Sequence, residues 1–103
     1  MDIQKDTWLW VVVQDTGGSE MFLGQHDERN NESFIPVFLE KGDAQIGLEQ
    51  LVREKDKKYE VQAIQYGLLA QYAFEKGFMV FILNAAGEVL YKLENPAVHW
   101  ESI

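Results

Sequence analysis

Phe78-Met79-Val80-Phe81-Ile82-Leu83 is an unbroken apolar run, and the residues around it decide the fold. A strand that is apolar on both faces belongs inside a covered sheet. Gly77 stands directly before the run, where a left-handed helix terminator is expected. Asn84-Ala85-Ala86-Gly87 supplies a turn directly after it, and Glu88 to Leu93 (EVLYKL) alternates as a hairpin partner. Upstream, Leu68, Leu69, Tyr72 and Ala73 mark a helix, with Phe74 near the edge of its apolar stripe. Before that helix, Tyr59 to Ile64 (YEVQAI) alternates as a strand, with Tyr59, Val61 and Ala63 on one face.

The first half supplies the remaining elements. Gly42-Asp43 opens another helix, with Asp43 as its cap and Ala44, Leu48, Leu51 and Val52 as its apolar stripe. Gly47 weakens that helix by about 1 kcal/mol relative to alanine unless close packing needs its small size. Ser33 to Leu39 (SFIPVFL) reads as a strand, and Pro36, which has no amide hydrogen to donate, places an edge or a bulge in it. Residues 25–32 (QHDERNNE) contain no apolar side chain and are expected to form an exposed loop. Thr7 to Val13 (TWLWVVV) is a strand with Trp8, Trp10 and Val12 on one face and Leu9, Val11 and Val13 on the other. Asp15 to Ser19 turns the chain, and Met21 to Gly24 is the return strand.

The resulting order is β-β-β-α-β-α-β-β. It predicts an α+β fold: one small domain over residues 1–103, with a single mixed sheet of five or six strands and two helices packed on one face. The middle β-α-β-α-β portion favours parallel pairing through right-handed crossovers, and the terminal hairpins are antiparallel.

Composition narrows the function classes. The chain has 103 residues, 47% of them hydrophobic and 25% charged, which fits a globular domain. It has no cysteine, so disulfides, thiolate metal sites and a cysteine nucleophile are excluded. Nine basic residues stand against 17 acidic ones, a formal net charge of −8. The one basic concentration, Arg53, Lys55, Lys57 and Lys58, is interrupted by Glu54 and Asp56, which cancel its field beyond about 8 Å. Neither nucleic acid nor a membrane is therefore an expected partner. No segment approaches the ~20 apolar residues of a membrane span, and a cytoplasmic location is expected.

Chemistry-bearing residues are sparse. His26, Asp27, Glu28 and Glu32 gather metal-type donors in one segment, but without an HExxH or calcium-loop pattern they read as a solvated loop. Ser19, Ser33 and Ser102 lack a nucleophile-elbow setting, and only His26 and His99 are available as a base. No catalytic residue, metal site or cofactor is expected. The aromatic residues Trp8, Trp10, Tyr91 and Trp100 carry the stronger signal. If two helices cover one sheet face, an aromatic face is left over as a surface for self-association, such as a homodimer, or for a protein partner. The alternative is a small-molecule binding domain or minor hydrolase, in which the His26 loop meets nearby carboxylates. A carboxylate within ~3 Å of His26 or His99 is its signature.

From Ser33 to Asn95 the chain resembles the N-terminal domain of the SseB family, named after a type III secretion enhancer protein. The resemblance runs through FIPVF (Phe34 to Phe38), the helix with Ala44 and Leu48, YEVQAI, the Leu68-Leu69 helix and FMVFILN before a glycine turn. It implies an α+β fold with no established catalytic residues.

Overall fold

The computed structural model describes residues 3–15 and 20–93, and Trp100 and His99 lie outside them. Among the described residues seven strands and two helices follow in order: β1 (Trp8–Asp15), β2 (Glu20–Phe22), β3 (Gln25–Asp27), β4 (Glu32–Phe38), α1 (Lys41–Gly47), β5 (Lys58–Gln65), α2 (Tyr66–Lys76), β6 (Met79–Leu83) and β7 (Val89–Leu93). A single 3-10 turn, Leu48–Gln50, extends α1. The fold class is as expected: α+β, with one mixed sheet and two helices.

Met79–Leu83 of the apolar run forms the largely buried β6, which pairs parallel with β4 on one flank and antiparallel with β7 on the other. β1 pairs with β5 along its whole length. On its other flank it pairs first with β4, at Trp10 and Val11, and then with β2, from Val13 to Asp15. β3 pairs with β4 on the flank facing β1, from Glu32 to Phe34. The main span is therefore β5-β1-β4-β6-β7, and the short β2 and β3 fill the angle where β1 and β4 diverge. Pro36 falls in the stretch of β4 between its β3 and β1 partners, where no ladder donor is called for on that flank. It sits in a central strand rather than at the edge of the sheet.

Three expectations are corrected. The strand count is seven, because Gln25–Asp27 is a strand rather than loop; backbone pairing with β4 holds it without any apolar side chain. Asp43 lies inside the first turn of α1, whose N-cap is Glu40 without a side-chain cap. The two helices also lie on opposite faces. Tyr66, Leu69, Ala70 and Ala73 of α2 pack with Leu9, Val11, Val13, Ile35, Val37, Val80 and Ile82. Ala44 of α1 packs instead with Val12, Phe38, Phe81 and Leu83 from the alternate positions of the same strands. The reason is topological. The β4-α1-β5 crossover travels one way across the sheet and the β5-α2-β6 crossover travels back, so a common right-handed sense puts their helices on different faces.

Glycines set both covers. Gly77 takes φ +78 and ends α2 in the left-handed conformation. A Cβ on the buried Gly47 would come within 2.4 Å of the Phe38 ring, so close packing of α1 on the sheet requires its small size. The stripes drawn from the sequence need two changes. Val52 is 80% exposed and Leu68 is 67% exposed, whereas Tyr66 and Ala70 are buried. The first amides of α2 donate to the segment before β1: Tyr66 N–H to the Thr7 carbonyl and Gly67 N–H to the Lys5 carbonyl, both at 2.8 Å. Burial pushes the Tyr66 phenol up to about 12.

Candidate interaction surface and adjoining cleft

The aromatic candidates separate into different environments. Trp8, at the start of β1, is 60% exposed. Trp10, two positions on, is half-buried against the α1-side core, with the Lys41 ammonium 5.6 Å from its ring centroid. Tyr91 lies on β7, three strand spacings or about 14 Å away across β4 and β6. The structure thus does not gather Trp8, Trp10 and Tyr91 into one aromatic patch, and both sheet faces carry a helix.

Among the described residues, the β7 end carries a run of exposed apolar side chains. Val89, Leu90 and Tyr91 are 44%, 46% and 43% exposed in succession. Sequence reasoning singled out Tyr91 and missed Val89 and Leu90, although the alternation of EVLYKL contained them. The hairpin is held from the opposite side. Asn84 Oδ1 accepts from the Ala86 and Glu88 amides, and Gly87 takes φ +83. Two features guard the strand against adding another backbone. The register shifts between Ile82 and Leu83, leaving Leu90 as an additional residue, and Lys92 reaches Glu32 at 3.1 Å while lying over the Phe81 ring. The apolar side chains of β7 are available, but its ladder is interrupted.

A second feature lies at the bend between β2 and β3. A cleft of about 600 Å³ opens there, floored by Leu23, Gly24 and Phe78 and walled by Tyr59 and residues 52–54. The wall is pinned at both ends. The Gln25 amide donates to the Val52 carbonyl and accepts from the Val52 amide, each at 2.9 Å, and the Glu54 amide donates to the Tyr59 hydroxyl at 2.6 Å. His26, Glu28 and Ser33 line the same cleft.

His26 therefore stands on a strand facing a cleft, where the sequence predicted a loop. Its Nδ1 lies 3.0 Å from Ser33 Oγ, its cross-strand neighbour, and no carboxylate hydrogen-bonds the ring among the described residues. Asp27 turns away to the β3–β4 turn, accepting from the Arg29 amide and the Asn30 side chain. The Asn30 side-chain hydrogen bond is the main cause that holds the Asp27 carboxyl below the usual carboxylate range. Among the described residues no three His, Cys, Asp or Glu side chains gather where one metal ion would sit. Among them, too, no helix is long and apolar enough to cross a membrane.

The chain matches no protein-family model, no curated protein and no solved structure.

Proposed function

We propose that this chain is a non-catalytic protein-interaction module, cytoplasmic and bacterial in type, that self-associates through apolar side chains at the β7 end of its sheet. The observation that carries the reading is the succession of Val89, Leu90 and Tyr91, each more than two-fifths exposed, on the outermost strand. Contact between two such ends removes apolar and aromatic surface from water at about 25 cal/mol per Å². The interrupted ladder makes this a side-chain contact rather than a shared sheet. The net charge of −8 opposes close approach elsewhere, so association strengthens as salt screens that repulsion. Resemblance to the SseB family N-terminal domain belongs to the same proposal and brings no catalytic residue with it.

The test is sedimentation equilibrium over a wide concentration range. Weight-average mass is expected to rise with concentration. The Val89→Lys, Tyr91→Lys double variant should stay at the monomer mass over the same range while melting within a few degrees of the unaltered protein. Constant monomer mass of the unaltered protein at every concentration and salt would overturn the proposal.

A further inference from the structure

We infer that the cleft at the β2–β3 bend is a binding site for an organic cation, an ammonium or guanidinium group carried on an apolar stem. This inference concerns a different place from the β7 end and stands or falls independently of it. The cleft, about 600 Å³ and broadly open to solvent, has room for a charged head and its apolar stem. The wall formed by residues 52–54 is set before any ligand arrives, because Gln25 clamps both backbone polar groups of Val52 and Tyr59 receives the Glu54 amide. A wall that does not have to be ordered on binding spares the ligand that entropic cost.

The lining chemistry selects the charge. Glu28 and Glu54 both line the cleft, and neither carboxylate has a hydrogen-bond or ion-pair partner among the described residues. The one cation in the lining, Arg53, is drawn off by Glu49 at 3.1 Å. The rings of Tyr59 and Phe78 supply apolar and π surface in the same cleft, and such rings attract cations as well as their stems. Tyr59 accepts the Glu54 amide through its oxygen, so its own hydroxyl hydrogen is free to donate. The net charge of −8 steers cations towards the molecule. Glu28 and Glu54 have no ion-pair partner among the described residues, so a carboxylate ligand is disfavoured there.

The experiment follows backbone amide shifts of the 15N-labelled protein during titration with phenethylammonium chloride, and separately with N-acetyl-lysine amide. Saturable shifts are expected at Gly24, Gln25, Val52 and Glu54. Glu28→Gln and Glu54→Gln should each weaken binding about threefold to fivefold, and the double variant by roughly tenfold or more. Both glutamates are exposed, so these variants should retain the fold. Sodium phenylacetate, with the same ring and the opposite charge, should shift none of these amides. Tighter binding of the free amine assigns the site to a small amine, and tighter binding of the lysine derivative assigns it to a basic side chain of another protein. Equal response to phenylacetate, shifts that do not saturate, or an affinity unchanged in the double glutamate variant would each overturn the inference.

Discussion

The two outermost strands of the sheet have opposite characters. β5 carries Lys58, Glu60 and Ala63 at its exposed positions, while Tyr59, Val61 and Ile64 are drawn into the cores on the two faces. β7 exposes Val89, Leu90 and Tyr91. The difference comes from where the helices lie. α1 packs chiefly over β1, β4 and β5, and α2 over β5 and β6, so β7 has the least helix cover of the main span. An outer strand is thus apolar-exposed here because the crossovers begin and end elsewhere, and not because its own sequence is unusual.

The largest expected effect contrasts a leucine of the covered sheet with one of its exposed end. Leu9→Ala removes a fully buried β1 side chain from the α2-side core and should cost about 2–5 kcal/mol, whereas Leu90→Ala should cost less than about 1 kcal/mol. Urea unfolding measures both, and equal losses would erase the distinction between covered and exposed strands. A second effect probes the α2 cover through pH. The Tyr66 phenol, raised to about 12 by burial, must ionise more readily in the unfolded chain. The stability it contributes is complete below pH 10 and is lost as pH rises through 12, by about 2 kcal/mol there. Tyr66→Phe should flatten that part of a pH series followed by unfolding.

A third substitution tests how closely α1 approaches. Alanine for Gly47 improves helix propensity by about 1 kcal/mol but drives a methyl into the Phe38 ring. A net loss of about 1–2 kcal/mol is expected by thermal melting; a gain would show that α1 does not seat as described. The smallest effect concerns the first strand. Trp8→Ala should change stability by no more than about 0.5 kcal/mol, and Trp10→Ala by clearly more, because only Trp10 packs on the core. Similar calorimetric losses for the two variants would remove the difference between them.

Much of the architecture was legible because it rests on local chemistry. The apolar β6, the Gly77 terminator, the Asn84–Gly87 turn and the alternation of β1 all follow from side-chain period and backbone freedom. β3 was not legible, since a strand held by backbone pairing and polar side chains leaves no apolar period to read. The surface was legible only in part. Tyr91 was identified, but grouping it with Trp8 and Trp10 required knowing that β4 and β6 separate β7 from β1. The cleft left no trace in the sequence, because Gln25 and Val52 are 27 positions apart and meet through a side-chain amide.

By itself the chain of residues determined that there is one mixed sheet with two helices, that a buried strand lies before the last hairpin, and that Gly77 ends the second helix. Those properties depend on each residue's own size, polarity and permitted dihedral angles. Tertiary structure alone decided which face each helix covers, which end of the sheet is left bare, and where β1 and β4 part to admit a cleft. These depend on the direction of each crossover and on distances across the sheet, which are relations between segments far apart along the chain.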